Sequence, residues 1–107
     1  MTDRELLELA AKAAGIDTKR CLQYEDGAFD WPVKAGRWNP LTDDGDALRL
    51  TVKLGLGVSV PLGYKRTDVV AFSDSRINAI ESHGSDPLAA TRRAIVRAAA
   101  EIERQMP

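Results

Sequence analysis

Apolar residues recur at helical spacing at both ends of the chain, and shorter alternating runs lie between them. Near the N-terminus the apolar positions fall on one helical face: Leu6, Leu9, Ala10 and Ala13. Thr2 and Glu5 have the spacing of a capping box, in which each side chain bonds the backbone N–H of the other residue. Gly15 suits a left-handed stop, and Ile16 can fold back on the last turn. The pattern predicts a first helix over Asp3–Ala14.

A second helical pattern runs to the C-terminus. Asp86 is a suitable N-cap, and Pro87 takes the first helical position, where its missing N–H is not needed. The apolar stripe that follows consists of Leu88, Thr91, Ala94, Ile95, Ala98, Ala99 and Ile102. Both terminal helices are therefore predicted to pack on a core, with Leu6, Leu9, Ile95 and Ile102 buried.

The stretch from Trp38 to Leu50 predicts a turn followed by a central helix. Asn39-Pro40 favours a turn, because proline restricts its own φ and that of the preceding residue. Thr42 or Asp43 can cap the helix, which continues through Leu54 to a left-handed stop at Gly55. Three acids lie in the first turn, where the helix dipole favours anions: Asp43, Asp44 and Asp46. The run lacks the ligand spacing of an EF-hand, so helix capping is favoured over a calcium site.

Five short runs have the composition of strands. They are Cys21–Glu25, Ala28–Trp31, Gly57–Leu62, Asp68–Phe72 and Ile77–Glu81. Asp26-Gly27 is typical of a hairpin turn, and Ser73-Asp74-Ser75 predicts another. The expected fold is α+β, a single domain over residues 1–107. Three helices pack on a small, mostly antiparallel sheet to form an α/β/α sandwich.

Four of the six aromatic residues fall between positions 24 and 38: Tyr24, Phe29, Trp31 and Trp38. Such a cluster could stack nucleic-acid bases or hold a ligand. Aromatic side chains more often close the end of a small core, and this interpretation is favoured.

Composition narrows the functional classes. The 107 residues are 44% hydrophobic and 29% charged, with a net charge of -1, which gives no bulk attraction to nucleic acid or anionic membranes. Cys21 is the only cysteine, so no intramolecular disulfide forms, which fits a reducing cytoplasm. No apolar run is long enough to span a bilayer, and the charged first helix differs from a signal peptide. A cytoplasmic location is expected.

The sequence offers little for catalysis. Nucleophilic chemistry would have to pair His83 with Cys21 or with a serine, and nothing in the spacing brings them together. Cys21 follows two basic residues, Lys19 and Arg20, as reactive cysteines often do, but it can equally be a small buried residue. No catalytic residue, cofactor-binding residue or metal ligand is predicted, and an enzyme is the least favoured class.

A nucleic-acid-associated module is the alternative hypothesis. It would use basic residues of the link over positions 63–67, expected to be exposed, and of the last helix: Lys65, Arg66, Arg92, Arg93 and Arg97. The competing interpretation is a solvated helix face on which Arg97 pairs with Glu101 four residues later. Because the arginines are expected to splay apart, nucleic-acid binding is not favoured.

The chain resembles the phage ABA sandwich domain family of small bacteriophage and prophage proteins. The resemblance rests on three stretches, which are residues 3–15, residues 38–50 and the last helix from Asp86-Pro87 through Ala90 to Ile102. It implies helices on both faces of a sheet, and it implies neither an activity nor functional residues. The expected function is that of a non-enzymatic phage accessory protein in the bacterial host cell. It would act through contacts with an unknown protein partner or by self-association.

Overall fold

The computed structural model describes residues 1–30 and 36–106. In chain order the elements are α1 (Asp3–Ala13), β1 (Phe29–Asp30), β2 (Arg37–Trp38), α2 (Asp44–Leu54), β3 (Leu56–Ser59), a short 3-10 helix (Leu62–Tyr64), β4 (Arg66–Ala71), β5 (Asp74–Ser82) and α3 (Pro87–Gln105). The strands form two antiparallel sheets, β1-β2 and β3-β4-β5. The predicted α+β class, with three helices and antiparallel pairing, is confirmed.

The helix ends follow the capping signals in the sequence. The Thr2 hydroxyl accepts the Glu5 N–H at 3.1 Å, which confirms the cap of α1. Gly15 has a φ of 83°, and the Ile16 N–H donates to the Ala11 carbonyl at 2.9 Å, as in a Schellman motif. The helix itself ends at Ala13, one residue earlier than predicted.

The caps of the other two helices are aspartates. Asp43, one of the two predicted candidates, accepts the Asp46 N–H at 2.8 Å, and Gly55 ends α2 with a φ of 62°. Asp86 accepts the Ala89 N–H at 3.0 Å, and Pro87 occupies the first position of α3 as predicted.

α3 is the central element of the packing. It lies against α1, against β4 and β5, and against α2. Its buried residues are small or β-branched, which lets these layers approach closely: Ala90, Ala94, Ile95, Val96, Ala98, Ala99 and Ala100. Of the residues predicted to be buried, Leu6 and Ile95 are buried, while Leu9 and Ile102 are partly buried. Leu88, assigned to the same stripe, is 63% exposed.

The three-stranded sheet has one covered face and one with exposed apolar side chains. The register places Val69 opposite both Val58 and Ala79. Val69 and Ala79 are buried on the face toward α3. Val70, the next residue of β4, points to the other face and is 38% exposed. Because side chains alternate along a strand, the register decides which valine enters the core.

The segment before β1 differs from its prediction. Cys21–Glu25 is not a strand, and only an isolated bridge joins Gln23 to Phe29. The segment is instead held on α1, because the Arg4 guanidinium donates to the Tyr24 carbonyl at 2.9 Å. Gly27 packs so closely that a Cβ there would lie 2.8 Å from Leu7. β1 pairs with β2, which the sequence did not predict, through Phe29 and Trp38.

Two further element boundaries differ from those predicted from the sequence. The strand predicted over Gly57–Leu62 ends at Ser59, and the chain then enters the 3-10 helix. Residues 63–67, predicted as an exposed loop, complete that helix and begin β4. Thr67 in this segment is fully buried, so the prediction of exposure is wrong at that position.

Two residues of the aromatic cluster belong to the core. Phe29 and Trp38 are buried, with ring centroids 6.4 Å apart and planes tilted by 52°. Tyr24 is half-buried, and Trp31 lies outside the described residues. The interpretation of Phe29 and Trp38 as core residues is confirmed.

Candidate functional site

The five basic residues proposed to meet nucleic acid lie in separate places. Arg93 and Arg97 line a cavity of about 570 Å³ between the start of α1, β5 and α3. Arg92 lines a different groove, beside α2. Lys65 and Arg66 lie where β4 begins. The cavity gathers two further arginines instead, Arg104 and Arg76, and the second of these was not singled out from the sequence.

Each of the four arginines among these five residues contacts a carboxylate. Arg92 contacts Asp44 at 2.7 Å, Arg93 contacts Asp3 at 2.8 Å, and Arg66 lies 3.1 Å from Asp68. The partners are distant in sequence for Arg92 and Arg93, so only the fold brings them together. These pairs offset most of the positive charge with which the protein would bind the phosphates of a nucleic acid.

Arg97 pairs differently from its prediction. Its guanidinium contacts Glu81 of β5 and donates to the Ile80 carbonyl at 3.0 Å. Glu101, the predicted partner, bonds Gln105 at 2.9 Å and lies 3.4 Å from Arg104. α3 packs on β5 along this face, so Arg97 meets a strand carboxylate rather than its own helix neighbour.

The remaining arginine of the cavity, Arg76, is bonded to the first residue of β5. Arg76 forms two hydrogen bonds to the Asp74 carboxylate, at 3.0 and 2.8 Å. These bonds, together with the Arg76 N–H, lower the pKa of Asp74 to about 2, and the same contact raises the pKa of Arg76. The pair remains ionised at neutral pH, so an anion entering the cavity would compete with bound carboxylates for the arginines.

His83 belongs to a buried polar network. Its Nε2 atom is 2.9 Å from the Thr67 hydroxyl, which is 2.7 Å from the Thr91 hydroxyl. Thr91 also donates to the Pro87 carbonyl at 2.8 Å. Within the described residues the side chain of His83 thus contacts a threonine. Nucleophilic chemistry would have needed Cys21 or a serine in that place. The network joins β4 to the start of α3.

Cys21 and the acidic run were the remaining candidates for chemistry in the sequence. Cys21 is half-buried and packs against the core. In residues 1–30 and 36–106 no group of three or more His, Cys, Asp or Glu residues is placed to hold a metal ion. No helix of these same residues is long and apolar enough to cross a membrane.

Tyr24 and Arg37 form a separate small polar site. The Tyr24 hydroxyl donates to Asp30 at 2.6 Å, and this bond raises the pKa of Tyr24. The Arg37 guanidinium lies 4.0 Å from the centre of the Tyr24 ring and 3.5 Å from Asp26. These contacts join β2 to the turn before β1, a structural role.

The most distinctive surface is an apolar groove of about 410 Å³ between α2, β3 and the first half of α3. Leu48 and Leu88 are 64% and 63% exposed at its sides, and Val58 of β3 is 38% exposed within it. The charged residues that border it, Asp44 and Arg92, are bonded to each other. Single exposed leucines are ordinary, but several around one concave surface indicate a contact site.

The apolar character continues along the sheet edge beside this groove, here called the β3 edge (residues 56–60). No charged residue occurs between Lys53 and Lys65. Val60 is 41% exposed, and on the opposite face of the sheet Phe72 is 80% exposed. The Phe72 ring lies over Gly57, where a Cβ would come within 2.8 Å of it.

The sequence patterns did not predict the apolar groove or the β3 edge. Leu48 and Leu88 continue helical apolar patterns, and such patterns do not separate a residue facing the core from one facing an open groove. The absence of charge between Lys53 and Lys65 was the available signal.

The chain matches no protein-family model, and it matches neither a curated protein nor a solved structure.

Proposed function

We propose that this protein is a non-enzymatic accessory protein that acts through protein–protein contacts at the apolar groove. The observation that carries the proposal is the exposure of Leu48 and Leu88, 64% and 63%, on either side of one concave surface. Burying such side chains against a partner contributes roughly 25 cal/mol per Å² of apolar surface removed from water.

The chemistry of the groove supports a protein segment as its occupant. Asp44 and Arg92 satisfy each other at its border, so the rest of the lining presents apolar atoms to a partner. An amphipathic helix or an extended strand offers a matching apolar face. A nucleic acid has less support, because the arginines that would meet its phosphates already contact carboxylates.

The biological setting forms part of the same proposal. A phage or prophage origin rests on the resemblance of three sequence stretches to the phage ABA sandwich domain family. A location in the cytoplasm of the bacterial host agrees with the single cysteine.

Site-specific photo-crosslinking tests the proposed contact surface. Leu48 is replaced by benzoylphenylalanine in the full chain, and the protein is irradiated in an extract of the expressing bacterial cells. The matched control carries the same probe at Leu22, which is 62% exposed in a loop away from the groove. We expect protein adducts from position 48 at least about tenfold more abundant than from position 22, with the joined peptides identified by mass spectrometry.

A second substitution decides whether the groove itself makes the contact. Leu88→Asp places a charge on the opposite wall, so it should remove the adducts formed at position 48. Equal labelling from positions 48 and 22, or adducts that survive Leu88→Asp, would contradict the proposal.

A further inference from the structure

We infer that the partner at this surface is a second copy of the chain, which pairs antiparallel with the β3 edge. The inference rests on the proposed function, since it names the occupant of the same surface. In this arrangement the two three-stranded sheets join through β3 into one six-stranded sheet. The two-fold axis passes through Val58.

The β3 edge is open and unprotected. Within the described residues β3 has a neighbouring strand on one side only, so its other side presents backbone N–H and C=O groups. Soluble proteins usually guard such edges with charged residues or proline, and here the first proline, Pro61, comes only after the β3 edge. The opposite edge, β5, carries Asp74, Arg76 and Glu81, whereas β3 is uncharged along its whole length.

The sequence of the β3 edge is self-complementary about Val58. Antiparallel pairing about this residue would place Val58 against its own copy, Gly57 against Ser59, and Leu56 against Val60. Each pair joins two apolar residues on the groove face or two small residues on the other face. A two-fold interface requires this self-complementarity, because every patch meets itself.

The charge pattern allows two copies to pair through this edge. A residue at a two-fold axis faces an identical residue, and like charges directly opposite each other destabilise strand pairing. The β3 edge brings no such pair together, since the nearest charged residues in sequence are Lys53 and Lys65.

The flanking side chains supply the area that the strand lacks. A stable interface buries about 800 Å² on each partner, more than a four-residue strand provides. Leu48, Val52 and Leu88 are each more than 60% exposed on the helical side. Phe72 adds a large apolar group on the opposite face, where its ring already reaches over Gly57 of the β3 edge.

Sedimentation velocity on the purified full chain tests the inference. One chain has a mass of 11.7 kDa, and we expect a species of twice that mass at micromolar concentrations. The benzoylphenylalanine probe at Leu48 should also form a covalent dimer in pure protein, without extract. This second measurement requires no change in β3.

Opposite charges at the two-fold axis test the register. Val58→Lys and Val58→Asp should each convert the protein into a folded monomer, because position 58 would meet its own charge. An equimolar mixture of the two should regain the dimer, since the charges then attract. Ile80→Lys is the control, because Ile80 is 53% exposed on β5 at the opposite edge and this variant should remain dimeric.

Three outcomes would overturn the inference. These are a wild-type monomer throughout the concentration range, folded Val58 variants that stay dimeric, and a mixture that stays monomeric. If the wild type is monomeric but Leu48 still crosslinks another protein in extract through the groove, the second copy is excluded and the proposed function stands. If position 48 gives no specific adduct in either setting, the proposed function fails as well.

Discussion

At the scale of single residues, Asp46 shows how one side chain joins local and tertiary structure. It is 3% exposed, and its carboxylate accepts the Asn39 N–H at 2.9 Å and a hydrogen bond from Arg49 at 2.6 Å. The sequence assigned it to the first turn of a helix, where acids interact with the helix dipole. The structure adds a second role, because the same carboxylate fixes the turn that precedes α2.

We predict that Asp46→Ala lowers the free energy of unfolding by about 1–3 kcal/mol, because it leaves the buried Asn39 N–H without an acceptor. Asp46→Asn keeps one carbonyl acceptor and should cost less. Urea denaturation of the three proteins at neutral pH measures both effects. A midpoint for Asp46→Ala equal to that of the wild type would show that the bond to Asn39 does not contribute to stability.

At the scale of elements, α3 determines the packing of the molecule. Its small residues allow α1 and the sheet to approach closely, and Ile95 is the large residue of that buried surface. Ile95 also lines the apolar groove, so shortening its side chain removes buried apolar surface and enlarges that groove.

We expect Ile95→Ala to lower the free energy of unfolding by about 2–4 kcal/mol, from lost burial and from the cavity left behind. Leu22→Ala removes a similar volume from an exposed loop and should stay within about 0.5 kcal/mol of the wild type. Chemical denaturation of the two variants provides the comparison. An equal loss in both would place Ile95 outside the core.

At the scale of the whole molecule, the arrangement of charges matters more than their number. Fifteen basic and sixteen acidic residues are present, and the fold pairs many of them across elements, as in Arg93 with Asp3. Such exposed pairs contribute little to stability. Their main consequence is that many of the described arginines already contact a carboxylate, which an anionic polymer would have to displace.

We therefore predict no mobility shift of DNA or RNA by the wild-type protein at about 0.15 M salt, where weak charge contacts are screened. The measurement is repeated at low salt to detect non-specific association. A double variant, Asp3→Asn with Glu81→Gln, removes the carboxylates that pair with Arg93 and Arg97, so it is the control in which binding to nucleic acid should be strongest. Wild-type binding whose affinity falls with salt by several phosphate equivalents would favour the nucleic-acid alternative.

Local signals in the sequence predict the three helices, their caps and their glycine stops. Thr2, Asp43 and Asp86 are caps, and Gly15 and Gly55 are stops, because these signals act on backbone groups within a few residues. Hydrophobic periodicity predicted the α+β class and the burial of Leu6 and Ile95, because apolar residues at helical spacing fall on one face of a helix.

Only the fold reveals the partner of β1, the charge partners and the groove, whereas the hairpin of β4 and β5 was already predicted from the sequence. The partner of β1, the pairing of Arg97 with Glu81 and the burial of Thr67 depend on residues far apart in the chain. The exposure of Leu48 and Leu88 has the same origin. A periodic pattern identifies the apolar side of a helix, but only the neighbouring elements determine whether that side is covered.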